Sequence, residues 1–106
     1  MNEDTDLARA KLVDRWFDLT RHIMPALAVA RNWPVRLDHC FQRVLLDNAV
    51  GGPWRDTIAA PAWREASYAQ LKAAVALAEA AIAGEEDLAI LNARSLAWRG
   101  KSPRCT

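Results

Sequence analysis

Residues 67–84 read SYAQLKAAVALAEAAIAG, and the fold class turns on them. Ser67 and Gln70 form a capping-box pair, in which the serine oxygen and the glutamine side chain each satisfy a backbone N–H at the start of a helix. Leu71, Val75, Ala78 and Ile82 then recur at helical spacing, and Gly84 supplies the left-handed residue that closes the segment. Polar residues inside it are few, chiefly Gln70, Lys72 and Glu79, and alanines at 73, 74, 76, 78, 80 and 81 let a neighbouring backbone approach closely. The segment reads either as the central helix of a bundle or as part of a contact with a second copy of the chain.

Outward from that segment the same periodicity continues. Asp87 can cap a last helix in which Leu88, Leu91, Ser95 and Trp98 share a face before Gly100. On the other side, Trp54 to Arg64 has Pro61 in its middle and admits only short helical turns. Gly51-Gly52-Pro53 forces a turn before it, and Gly51 ends a helix predicted from about Val35 to Val50 with Leu37, Phe41, Val44 and Leu45 facing inward. At the N-terminus Asp4 or Thr5 can cap a helix carrying Leu12, Trp16, Leu19 and Ile23 on one face, widened by Val13 and Phe17. Pro25 should end or kink it and open a short continuation to Ala30, before a break at Asn32-Trp33-Pro34. No segment alternates with period two and no repeat or linker is visible. The expectation is a single all-α domain, a compact bundle of four or five helices joined by short turns, with a flexible tail from about 101.

Composition narrows the classes of partner. A chain of 106 residues can hide roughly 65% of its unfolded surface in one core without staples. Fourteen basic residues against 13 acidic leave a formal charge of +1, so nothing attracts nucleic acid or anionic lipid globally. Lysine occurs only at 11, 72 and 101, so the basic residues are mainly arginine, which suits bidentate contact with carboxylates and stacking on rings; a G+C-rich coding sequence, which the many alanines also suggest, is the favoured explanation of the preference. Five tryptophans, three of them directly before arginine, could stack on single strands. The balanced charge and the places of Trp16 and Trp98 on apolar stripes favour core packing instead. Cys40 and Cys105 lie far apart and are read as reduced thiols, the N-terminus is acidic where a signal peptide would be basic, and no apolar run reaches the roughly 20 residues of a spanning helix. These points suggest a cytoplasmic protein with no membrane or nucleic-acid partner.

The candidate site lies in residues 37–54, LDHCFQRVLLDNAVGGPW. His39, Arg43 and Asp47 fall at i, i+4 and i+8, along one slowly turning face. An Asp47 carboxylate paired with Arg43 would hold the guanidinium so that its other donors bind an anion, and His39 could act as general acid or base on that ligand. Trp33 and Trp54 bracket the helix and can wall a cleft. The plainer alternative is a solvated surface pair beside an exposed histidine. Cys40 adjoins His39, but neighbouring helical side chains point about 100° apart, so adjacency makes no thiolate–imidazolium couple. His22 stands four residues after Asp18, as in a local surface pair. No paired metal-ligand spacing, Walker loop, dinucleotide loop or nucleophile elbow is present, and no cofactor is implied.

His39-Cys40-Phe41, Arg43, Asp47, Gly51-Gly52, Trp54, Pro61-Ala62 and the ending Leu91-Asn92-x-x-Ser95-Leu96-x-Trp98-Arg99-Gly100-Lys101 together resemble a group of short uncharacterised microbial proteins, some labelled as related to the GNAT acetyltransferases. The resemblance covers most of 19–101 and implies a shared small helical fold with a common site around His39, Arg43, Asp47 and Trp54. A GNAT domain is a mixed sheet with an R/Q-x-x-G-x-G/A pyrophosphate loop. This chain shows neither, so acetyl-CoA is carried over to no residue. Two functions follow: binding of a small anionic ligand, with or without action on it, by His39, Arg43, Asp47, Trp54 and Cys40; or an interaction or homodimerisation module without catalysis, built on 68–83 and the tryptophans.

Overall fold

The computed structural model describes residues 3–101, with side chains from Thr5 onward, and these residues are all-α with no strand. Asp4 and Thr5, expected at the cap position, lie within α1 (Glu3–Asp18) instead. The tail expected from 101 falls on residues 102–106, outside the described residues, as does Cys105.

Pro25 interrupts the first α-helix and stands in the first turn of a short continuation, as its sequence position implies. Its ring crowds the preceding turn and it has no N–H to donate, and the chain passes it by widening into a π-helical stretch, Leu19–Ile23, where the Met24 N–H reaches back five residues to the Leu19 carbonyl. The helix then resumes as α2 (Met24–Ala28), with Pro25 in its first turn. Thr20 reinforces the widened turn by donating its hydroxyl to the Trp16 carbonyl at 2.9 Å. Asn32, at φ 54°, reverses the chain after α2.

The second long helix, α3 (Asp38–Val50), begins three residues later than its sequence suggests. Leu37 is extended and serves as the N-cap residue, so it lies outside the helical register and is 58% exposed, correcting its expected inward position. Val35 is buried in the preceding loop instead. Gly51 closes α3 at φ 78°, its N–H on the Asp47 carbonyl, as its sequence position implies. A 3-10 turn at Trp54–Asp56 and the short α4 (Ala62–Glu65) follow, on either side of a cis Ala60–Pro61 bond.

Helix α5 (Tyr68–Ala83) carries the expected capping box, with the Gln70 N–H on Ser67 Oγ at 3.0 Å and the Ser67 N–H on Gln70 Oε1 at 2.8 Å. It packs on α1 and α3, and buried Ala74, Ala78 and Ala81 allow the close approach. Ser67→Ala removes one half of the box and should cost about 1 kcal/mol in urea unfolding, whereas an unchanged midpoint would show that α5 is held by packing alone. The last helix, α6 (Leu88–Trp98), is capped by Asp87 and packs on α3, with Leu88, Leu91 and Leu96 buried. Trp98, expected on the core face, is exposed instead, and buried Asn92 and Ser95 occupy the face toward α3.

The core thus centres on α3, with Phe41, Val44 and Leu45 fully buried between α5, α6 and the π-helical stretch. Two arginines tie the periphery down by covering helix C-termini. Arg9 donates to the carbonyls of Trp63, Arg64 and Ala66, fastening α4 to α1, and Arg31 donates to the Ile82 carbonyl at 2.7 Å. Cys40 is buried, 2% exposed. No helix among the described residues is long and apolar enough to cross a membrane.

Candidate functional site

Four residues of α-helix turn through about 400°, so a row at i, i+4, i+8 drifts by about 40° per step. That drift explains the different surroundings of His39, Arg43 and Asp47. The His39 side chain is 67% exposed at the outer end, Arg43 is half-buried, and Asp47 has no exposed surface. The row therefore runs from solvent into the interior.

Arg43 and Asp47 are not paired directly, contrary to the sequence reading. Arg99, at the end of α6, takes the carboxylate instead, donating Nε to Oδ2 at 2.6 Å and Nη2 to Oδ1 at 2.8 Å. Asp47 also accepts the Ser95 hydroxyl at 2.7 Å and the Trp54 backbone N–H at 2.8 Å. One carboxylate thus joins α3, α6 and the turn that carries Trp54. Arg43 meets the same network through α6: Nη1 donates to Ser95 Oγ at 2.6 Å and Nη2 to Asn92 Oδ1 at 2.8 Å. Ser95 lies between Arg43 and Asp47, passing on a hydrogen bond rather than an ion pair. Every buried side-chain nitrogen and oxygen among the described residues has a partner.

The electrostatics follow from this arrangement. Burial lowers the Arg43 pKa, the neighbouring Arg99 lowers it further, and Asp47 acts in the opposite direction. The hydrogen bonds that Arg99 donates to Asp47 raise the Arg99 pKa against its own desolvation, with Coulombic help from Asp47 and Asp56. Both side chains remain cationic at any ordinary pH. Asp47 neutralises one of the two guanidinium groups, and among the described residues no carboxylate forms an ion pair with Arg43. The uncompensated charge belongs to Arg43.

This charge opens on a cleft of about 580 Å³, within the usual range for small-molecule sites. Arg43, Gln42 and Leu46 line it from α3, Arg99 from α6, and Trp16 and Phe17 from α1. Trp54 and Arg55 form one wall, and the Ala60–Trp63 segment forms another. Phe17 and Trp63 meet edge to face, with centroids 6.2 Å apart, while the Arg55 guanidinium lies 5.1 Å from the Trp54 ring centroid. His39 sits on the lip, its Nδ1 3.6 Å from Asp38 Oδ1.

Arg43, Trp54 and His39 are therefore brought to one cleft, and Asp47 lies behind it. Three other candidates lie elsewhere. Trp33 packs edge-on against Phe41 at 5.8 Å and does not line the cleft. Cys40 is buried and does not line the cleft, so it presents no thiolate there. His22 is exposed on the π-helical stretch. Among the described residues no group of three or more His, Cys, Asp or Glu side chains converges to hold a metal.

Asn92, Ser95 and Arg99 are the residues that sequence reasoning missed. They stand at i, i+3 and i+7, so they share the face of α6 that packs on α3. Three polar side chains on the packed face of a short, otherwise apolar helix were the available signal. As for chemistry, Ser95 is fully buried with both a donor and an acceptor role filled, so its hydroxyl is no nucleophile. The arrangement is suited to holding an anion at Arg43. In comparisons with protein-family models, curated proteins and solved structures, nothing matches this chain.

Proposed function

We propose that the protein binds a small organic anion in the cleft, with Arg43 as the anchor. The single observation that carries this reading is the half-buried Arg43 guanidinium, held from behind by the oxygens of Asn92 and Ser95 while Asp47 is occupied by Arg99. A partly desolvated cation held by neutral oxygens gains more from an incoming anion than one already paired with a carboxylate. Asp47 contributes by fixing Arg99, Ser95 and the Trp54 turn, and Ser95 in turn orients Arg43. His39, on the lip, is placed to hydrogen-bond the outer part of the ligand.

Thermal-shift measurements with a panel of small carboxylates, phosphate esters and sulfonates, each beside its neutral amide or alcohol, test this reading. A ligand present at 100 times its dissociation constant stabilises the native state by about 2.7 kcal/mol, so a true ligand gives a clear shift. The expected result is stabilisation by members of the anionic set and not by their neutral partners, lost in Arg43→Gln and reduced in His39→Ala. Equal responses from wild type and Arg43→Gln would overturn the proposal.

A further inference from the structure

We infer that the ligand is an aromatic monocarboxylate, its carboxylate on Arg43 and its ring against the indoles of Trp54 and Trp63; this rests on the reading of the cleft as an anion site. Charge sets the valence. Asp47 already neutralises Arg99, and the one guanidinium left without an ion-paired carboxylate among the described residues at the cleft floor is Arg43. A dianion would have to draw its second counter-charge from Arg55, which is exposed at the lip.

Shape sets the head group. A guanidinium has five N–H donors in a planar fork. Arg43 gives one from each terminal nitrogen to α6, and the remaining donors lie in the same plane, matching the two coplanar oxygens of a carboxylate.

Volume and walls set the body. About 580 Å³ is far more than acetate or inorganic phosphate would fill. The lining offers aromatic surface: Trp54 is half-buried, and Trp63 is 41% exposed and in edge-to-face contact with Phe17. A planar ring gains from such surface beyond the area it buries.

The test titrates the full-length ¹⁵N-labelled chain with four probes: 2-naphthoate, its saturated counterpart decahydro-2-naphthoate, 2-naphthamide and inorganic phosphate. The indole N–H signals and the Arg43 Nε–H signal report binding. Expected are saturable shifts at Trp54, Trp63 and Arg43 with 2-naphthoate, and none at Trp33 or Trp98. Affinity should be about three- to ten-fold weaker for the saturated acid and about ten-fold weaker or worse for the amide. Equal affinity of the two acids, both dependent on Arg43, overturns the aromatic assignment and leaves the anion site standing. Equal affinity of 2-naphthoate and 2-naphthamide, unchanged in Arg43→Gln, overturns both. Phosphate that displaces 2-naphthoate at lower concentration overturns the monocarboxylate assignment, as does a lack of any shift with 2-naphthoate up to its solubility limit.

Discussion

Asp47→Ala should destabilise the protein by about 3–5 kcal/mol, read as a lower urea midpoint with an unchanged slope. The carboxylate has no exposed surface and accepts four hydrogen bonds, two from Arg99 and one each from Ser95 and the Trp54 backbone. Its removal leaves the Arg99 guanidinium, whose side chain is only 24% exposed, without its counter-charge beside Arg43. Two like charges then face each other in a half-desolvated site, and the turn after α3 loses its tie. Asp47→Asn keeps an acceptor for the Trp54 N–H but not the charge, so its loss should be smaller. A double-mutant cycle with Arg99→Ala separates the terms, because removing Arg99 as well relieves the stranded cation and should recover part of the loss. A loss under about 1 kcal/mol for Asp47→Ala would mean that water replaces the carboxylate, and the network would then not be what holds α6 on α3.

The sequence reading succeeded where structure is decided by near neighbours. The Ser67–Gln70 box, Gly51 and Gly84 each act within one turn of backbone, and the residue types that serve there are few. Apolar spacing likewise located the four long helical runs. At the site, the reading fails where a distant residue competes. Arg43 and Asp47 have the spacing of an i,i+4 ion pair, but such a pair is worth only a few tenths of a kcal/mol. Arg99, 52 residues from Asp47, offers two parallel charge-assisted bonds and takes the carboxylate. Spacing along one helix says nothing about which residue a second helix brings. Pro25 interrupts the first helix as local rules require, and what they do not specify is the widened π-helical turn by which the chain passes it. The site was legible as a polar row on α3, but its other half, on α6, was hidden on a face read as core.

Trp16→Ala should also cost about 3–5 kcal/mol, and it should weaken ligand binding even though the indole offers a ligand no charge. Trp16 is 2% exposed, lies in the core cluster and contributes to the lining of the cleft, so its ring separates the two. Truncation to alanine opens a void that joins the cleft. Water entering there would solvate Arg43 and diminish what an anion gains by reaching it. The loss would come from packing and not from the nearby hydrogen bonds. Thr20 donates to the backbone carbonyl of residue 16, and Gln42 Nε2 donates to Thr20 Oγ1 at 3.1 Å, so this link between α3 and the π-helical stretch survives the substitution. Thr20→Val, which breaks that link while leaving the indole in place, is the natural control. Wild type and both variants should be compared by urea unfolding and by titration with 2-naphthoate. If Trp16→Ala binds as tightly as wild type once its lower stability is allowed for, the indole only fills the core; if affinity falls for Trp16→Ala and not for Thr20→Val, dryness at the floor of the cleft is what gives the Arg43 charge its strength.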